Sequence, residues 1–292
     1  MPRPLRIAMV QMTSSDDVED NLATASAMIR QAAADGAQLI ATPEMTSCLV
    51  RQRDRALATA RPEAEDRALR AFRALARDCG ITLVIGSMPI LLPVLEPDAK
   101  EGDGKEDDSG DDGQRLANRC FVIGPDGGII ARYDKIHLFD VSLGAGESYR
   151  ESRTYQGGAQ AVLADIGPAK LGLSICYDLR FPYLYRALAQ AGADILSIPA
   201  AFTETTGRAH WHVLLRARAI ETGCFVMAPA QSGHHADGRD TFGHSLLVDP
   251  WGEVLVDAGR DRGVSLFTID LDAVAAARAR IPALGHDRPL TI

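Results

Sequence analysis

Apolar and polar positions along the chain alternate between two periods. The run at 6–11 predicts a first strand, and after it Val18, Leu22, Ala25, Ile29 and Ala32 recur at steps of four and three, the spacing of an amphipathic helix. Asp16 and Glu19 predict a capping-box-like start for that helix. A short buried run, Leu39-Ile40-Ala41, reads as the next strand. Pro62 predicts the opening of a second helix, with Ala68, Phe72, Leu75 and Cys79 on one face and Gly80 at its end, which makes Cys79 a core residue. Strands are expected at 81–86, 120–124, 128–133, 161–165 and 171–175, a helix from Pro182, and a strand at 194–198. A long helix at 208–222, carrying Trp211, Leu214, Leu215 and Ala219, stops at Gly223. Strands at 224–228, 243–249, 253–256 and 265–269 lead into a closing Ala-rich helix. Strands and helices alternating around two buried layers imply an α/β fold. The sequence contains no evident internal repeat.

Length and composition refine this only slightly. A chain of 292 residues with 46% hydrophobic content can bury a sizeable core, and a single domain over 1–292 is expected. No apolar run has the length of a membrane span, and Met1-Pro2-Arg3-Pro4 enters a strand without a signal-peptide core, so the expected location is cytoplasmic and no membrane partner is expected. The cysteines at 48, 79, 120, 176 and 224 fit neither a disulfide ladder nor a Cys-x-x-Cys metal spacing, which predicts reduced thiols. The net charge of −8 is concentrated between Glu96 and Gly113, where nine acidic residues face only Lys100 and Lys105. That stretch reads as a flexible acidic insertion at about 96–113. No basic stripe or aromatic platform points to nucleic acid.

Three segments carry residues that their apolar neighbours do not explain. Cys176 closes the apolar run Leu171-Gly172-Leu173-Ser174-Ile175 and opens Tyr177-Asp178-Leu179-Arg180-Phe181-Pro182, which reads as the start of a helix. A thiol at such a turn faces a cleft and has backbone N–H groups close by. Glu44 follows a strand-like run in Thr42-Pro43-Glu44, and Lys135 stands between the strand-like 129–133 and a hydrophobic patch. Singly, these read equally as a core cysteine, a capping carboxylate and a snorkelling lysine. Together they are a nucleophile, a base and a cation at the ends of three strands. His210 with His212, and His234 with His235, lack the i, i+4 spacing of a zinc site. Ser174 lacks a Gly-x-Ser-x-Gly elbow, and Gly144-Ala145-Gly146 neither follows a clear strand nor opens a clear helix. No metal and no cofactor is expected.

In these segments the chain resembles the nitrilase superfamily of carbon-nitrogen hydrolases, whose Glu-Lys-Cys triad occurs in this order. Glu44 matches the family's Pro-Glu segment, Lys135 its Lys-Ile-His-Leu-Phe-Asp segment, and Cys176 its Cys-Tyr-Asp-Leu-Arg-Phe-Pro segment. Glu151 falls where these enzymes carry a second active-site glutamate. Further matches occur at 205–211, at 215–221, and at Gly243-His244-Ser245 followed by Val248-Asp249-Pro250-Trp251-Gly252, so that the likeness runs from about Ile7 to Pro289. It is nearest to the Nit-type branch of ω-amidases and deaminated-glutathione amidases. The resemblance implies a four-layer αββα sandwich, pairing with a second copy as a homodimer or higher homo-oligomer, and a small-molecule amide as substrate.

The implied chemistry suits the residue types. A free thiol near pKa 8.5 is only about 3% thiolate at pH 7, so the cysteine needs a base, and Glu44 is expected to supply it. Lys135 is expected to face the tetrahedral oxyanion, joined by the Tyr177 backbone N–H, while Glu151 positions substrate or holds Lys135. The expected activity is that of a thiol amidase acting through a thioester on a linear, carboxylate-bearing amide, either deaminated glutathione or a 2-oxo acid ω-amide. Arg180 is the candidate for the distal carboxylate, with pairing to Asp178 or to a neighbour across the fold as its structural alternative. Phe202 and Thr203 are candidate pocket walls. A nitrilase, a carbamoyl-amide hydrolase, and a catalytically silent binding relative are the other readings.

Overall fold

The computed structural model describes residues 2–93, 113–144, 147–289 and 291. The acidic stretch expected at about 96–113 lies outside the described residues except for Gly113, as does most of the Gly144-Ala145-Gly146 run.

Two six-stranded sheets form the centre. The first contains β1 (Pro4–Gln11), β2 (Leu39–Ala41), β3 (Thr82–Leu91), β4 (Leu116–Ile123), β5 (Ile129–Asp134) and β16 (Gly263–Asp270), in the order β16-β1-β2-β3-β4-β5. The second contains β8 (Leu163–Asp165), β9 (Lys170–Leu173), β10 (Ile195–Ser197), β11 (Phe225–Ala228), β14 (Leu246–Val248) and β15 (Val254–Asp257), in the order β15-β14-β11-β10-β9-β8. Each sheet has three adjacent parallel strands with one antiparallel strand on one side and two on the other. The two halves therefore share a topology that the sequence does not display as a repeat. Two hairpins complete the β-structure: β6 (Asp140–Gly144) with β7 (Glu147–Arg150), and β12 (Ser232–His234) with β13 (Asp240–Phe242).

Alternation along β1 shows why the layers stack as they do. Ile7 and Met9 pack between the sheets with residues such as Leu171 and Ile195, whereas Ala8 and Val10 pack outward against α1 (Val18–Ala34) and α3 (Arg67–Cys79). On the far side, Leu184 and Leu188 of α4 (Pro182–Gln190) and Trp211, Leu215 and Ala219 of α5 (Glu204–Thr222) cover the second sheet. The result is the expected αββα sandwich. α2 (Arg53–Thr59) lies near the strand ends, and α6 (Asp272–Arg280) closes the chain.

Several local expectations shift. Asp17, not Asp16, caps α1, accepting from the Glu19 and Asp20 N–H groups. Pro62 precedes only a 3₁₀ turn, Glu63–Glu65, and α3 starts five residues later behind Asp66, whose carboxylate accepts from the Leu69 N–H at 2.8 Å. Gly80 ends α3 as expected, in the left-handed conformation that glycine adopts most easily. α5 starts at Glu204 instead of 208, because Thr203 caps a first turn, Glu-Thr-Thr-Gly, that has no apolar period to reveal it. The segment after Cys176 is a 3₁₀ helix, Cys176–Arg180, and α4 begins only at Pro182.

Candidate active site

Strand ends from both sheets converge on one cluster. Glu44 follows β2 in a turn where Met45 takes φ 55°, and the turn is fixed to β3 by Met45 N–H donation to Ser87 Oγ at 2.9 Å. Gly86 is required beside it, since a Cβ there would lie 2.2 Å from the Thr42 carbonyl oxygen and 2.5 Å from Pro199 Cβ. Lys135 comes directly after β5, with its N–H donating to the Asn118 carbonyl at 3.0 Å. Cys176 follows β9 with φ 50°, a left-handed conformation that costs a non-glycine residue about 1–2 kcal/mol. Two contacts sustain it: the Cys176 N–H donates to the Pro199 carbonyl at 2.9 Å, and Asp178 accepts from the Ile175 N–H at 2.9 Å.

Lys135 Nζ donates to Glu44 Oε1 at 3.0 Å and to the two Glu151 oxygens at 3.0 and 2.8 Å. Its side chain is 2% exposed, so this is a buried ion cluster. Glu44 Oε2 accepts from the Ala201 N–H at 2.9 Å, and the Cys176 thiol lines the same cavity as this carboxylate. Glu151 Oε2 accepts from the Phe139 N–H at 2.6 Å. The sequence-predicted Glu44, Lys135, Glu151 and Cys176 are thus brought together.

Burial opposes every charge here, and the neighbours decide the outcome. Burial disfavours the Glu44 carboxylate, but Lys135 and the neighbouring Cys176 and Asn118 side chains outweigh it and hold Glu44 below its ordinary range. Burial likewise works against the Lys135 ammonium, and the charges of Glu151 and Glu44 override it, holding Lys135 well above a free lysine. For Cys176, burial and the Glu44 charge both disfavour the thiolate and exceed the help from Lys135, so the thiol is pushed well above its ordinary value. The resting cluster is therefore a carboxylate, an ammonium and a neutral thiol. Such a thiol attacks only as its proton leaves.

The cluster opens into a cavity of about 480 Å³ whose lining includes Tyr177, Arg180, Phe202 and Thr203 together with all four clustered residues. Arg180 does not pair with Asp178. The Asp178 carboxylate is fully buried and taken by Ile175 N–H, by Tyr133 Oη at 2.6 Å and by His137 Nδ1 at 2.6 Å. Arg180 instead lies over the Phe202 and Tyr177 rings, 5.5 and 5.9 Å from their centroids, with Nη1 3.3 Å from His210 Nδ1. Thr203 lines the cavity while its hydroxyl accepts from the Thr206 N–H as the α5 cap. His212 lies apart from His210's contact, meeting Asp257 together with His244.

Sequence reasoning missed Asn118. Its Nδ2 donates to Glu44 Oε1 at 2.9 Å and to Glu151 Oε1 at 3.1 Å, tying the two carboxylates together beside Lys135. An asparagine inside the apolar run Leu116–Ile123 was the available signal. Also missed were Arg51, Arg53, Arg150, Arg153 and Arg239, which come to the cavity from α2, the two hairpins and adjoining turns.

Comparison with known proteins agrees with this fold. Residues 6–279 match the carbon-nitrogen hydrolase family. A deaminated glutathione amidase of Synechocystis sp. is 39% identical over 97% of this chain and 98% of its own length. The human deaminated glutathione amidase is 37% identical, over 97% of this chain and 82% of its own. Among solved structures, the C. elegans NitFhit protein superposes with a TM-score of 0.83 at 35% identity, covering 98% of this chain, which spans 65% of that longer one. Nit3 of Saccharomyces cerevisiae, a member of the nitrilase superfamily, gives a TM-score of 0.80 at 26% identity, covering 96% and 94% of the two chains. With the family match spanning most of the chain, and the fold and the relatives agreeing over nearly its whole length, this protein belongs to the carbon-nitrogen hydrolase family.

Proposed function

We propose that this protein is a thiol amidase for carboxylate-bearing linear amides, with deaminated glutathione as the leading substrate. The observation that carries the reading is the buried Glu44–Lys135–Cys176 cluster opening onto a cavity rich in arginine. The names of the relatives supply the substrate class. Cys176 Sγ attacks the amide carbonyl as Glu44 takes the thiol proton, and the oxyanion develops toward Lys135 Nζ and the Tyr177 N–H. Collapse breaks the C–N bond, Glu44 passes the proton to the departing nitrogen, and a thioester remains. Water then attacks the thioester as Glu44 takes its proton, the C–S bond breaks, and the thiol recovers its proton. Glu151 positions Lys135.

Phe202 and Thr203 wall the acyl side, where Arg180 receives the distal carboxylate. Its guanidinium has no carboxylate partner among the described residues and stands over two aromatic rings. The reading predicts rapid cleavage of deaminated glutathione and 2-oxoglutaramate and slow cleavage of butyramide and a short nitrile. Losing the carboxylate contact should lower kcat/KM by about 10- to 100-fold. Arg180→Ala should erase most of that preference. Equal rates on butyramide, or an unchanged preference in Arg180→Ala, would remove the carboxylate reading; faster cleavage of the nitrile would favour a nitrilase.

A second copy of the chain is the proposed occupant of the outer face of α5, where Val213 and Ile220 are 68% and 55% exposed. The cytoplasmic placement rests on five free cysteines, which suit a reducing compartment. No helix among the described residues is long and apolar enough to cross a membrane.

A further inference from the structure

The chain carries a net charge of −8, yet the cavity at the Cys176 cluster is walled by Arg51, Arg53, Arg150, Arg153, Arg180 and Arg239. Among the described residues of that wall, Glu44 and Glu151 are the acidic ones, and both are committed to Lys135. The cavity thus holds more positive charge than one distal carboxylate requires.

The guanidiniums are mounted at two separate places. Arg180 stands over Tyr177 and Phe202, while Arg51 and Arg239 lie against the Tyr149 ring, 5.0 and 5.9 Å from its centroid. Phe139 spans the gap, with its ring centroid 5.1 Å from that of Tyr177 and 5.0 Å from that of Tyr149. A row of three rings therefore separates the two positive poles.

Arg239 is the less satisfied member of the second pole. It ends the turn between β12 and β13, where its N–H donates to Asp237 Oδ1 at 3.0 Å and its carbonyl accepts from the His235 N–H at 2.8 Å. The turn is anchored through the buried His235 ring, which contacts the Ser14 carbonyl and Thr241 Oγ1, each at 2.7 Å. The side chain of Arg239 is 18% exposed, Nη2 reaches Asp237 Oδ2 only at 3.4 Å, and the buried Nε has no hydrogen-bond partner. Arg51, its neighbour on the Tyr149 ring, gives Nη2 to the Ser148 carbonyl at 2.7 Å. A guanidinium offers five donors in a fork that fits a carboxylate, and a buried donor left unmatched carries a standing cost that an anionic ligand removes.

We infer that Arg239, assisted by Arg51, is a second carboxylate-binding pole that holds the leaving half of the substrate. This rests on the amidase reading above, in which Arg180 takes the carboxylate of the acyl half. The ligand class is then an amide with a carboxylate on each side of the scissile bond, an acyl group joined to a short peptide with a free C-terminus. Deaminated glutathione has this form. 2-Oxoglutaramate, which releases only ammonia, has a carboxylate on the acyl half alone.

Steady-state kinetics on these two substrates, with wild type, Arg239→Gln and Arg239→Lys, test the assignment. Arg239→Gln should lower the ratio of kcat/KM for deaminated glutathione over 2-oxoglutaramate by about 10- to 100-fold, chiefly through KM for the former. Arg239→Lys should restore part of the ratio, because it keeps the charge and loses the fork. An equal loss on both substrates, or an unchanged ratio, overturns the assignment while leaving the amidase reading standing. A wild-type protein that cleaves neither substrate overturns the amidase reading and this assignment with it.

Discussion

Lys135→Met should lower turnover by about 10³-fold or more and destabilise the fold by roughly 3–5 kcal/mol. Both effects come from one atom. Lys135 Nζ is the cation shared by Glu44 and Glu151, each within 3.0 Å of it, and the lysine side chain is almost wholly buried. Without it, two carboxylates held together by Asn118 face each other with one amide donor between them, and one of them must take up a proton. The oxyanion loses its positive partner at the same time. Lys135→Arg should not restore activity, because a planar fork does not replace a compact ammonium serving Glu44, Glu151 and the developing oxyanion at once. Denaturant midpoints and ammonia release measured on both variants check this. Near-normal turnover in Lys135→Met would take the lysine out of the mechanism.

Glu44→Gln should fold with a smaller stability loss of about 1–3 kcal/mol and lose about 10²- to 10⁴-fold in kcat. A glutamine oxygen can still accept from the Ala201 N–H, but its amide nitrogen then faces the donors of Lys135 and Asn118. More important, it cannot take the Cys176 proton. The directions of the shifts fix the pH behaviour. Glu44 is depressed in the folded protein, so its contribution to stability is present above the ordinary carboxylate range and is lost as pH falls through the depressed value. Lys135 is raised, so its contribution is present below the ordinary lysine range and is lost only as pH climbs through the raised value. The ion cluster therefore persists across neutral pH, and any acid limb in kcat/KM that reports Glu44 should lie below about 4.3. Burial also keeps Cys176 a thiol, so the ultraviolet thiolate absorbance attributable to it should be missing up to about pH 9. A Cys176 thiolate at neutral pH would contradict the concerted role of Glu44.

Much of this site was legible in the sequence because its residues sit at strand ends. Glu44, Lys135 and Cys176 each interrupt or close an apolar run, and strands bury such runs while presenting their ends to a cleft. What the sequence withheld lay in elements with little apolar signal. α2 buries only Ala56, β7 has four residues that are all at least partly exposed, and β12 has three residues of which two are exposed. Those short segments bring Arg53, Tyr149 and Arg239 to the cavity wall, so the second positive pole was invisible until the hairpins folded over the strand ends. Asn118 escaped for a different reason. It stands in a core strand, where an unmatched amide is costly, and only the spatial approach of Glu44 and Glu151 accounts for it. The topological likeness of the two sheets was hidden as well, because strand order is set by pairing between distant segments and leaves no period in the chain.

The most direct test of the central claim is intact-mass analysis after rapid acid quench of wild-type enzyme with deaminated glutathione, and separately with 2-oxoglutaramate. Both substrates should leave the same acyl adduct, the mass of the carboxylate-bearing acyl group, mapped by peptide digestion to Cys176 and missing from Cys176→Ala, which should also show no turnover. An adduct on Cys48, Cys79, Cys120 or Cys224, or turnover surviving in Cys176→Ala, would contradict the account.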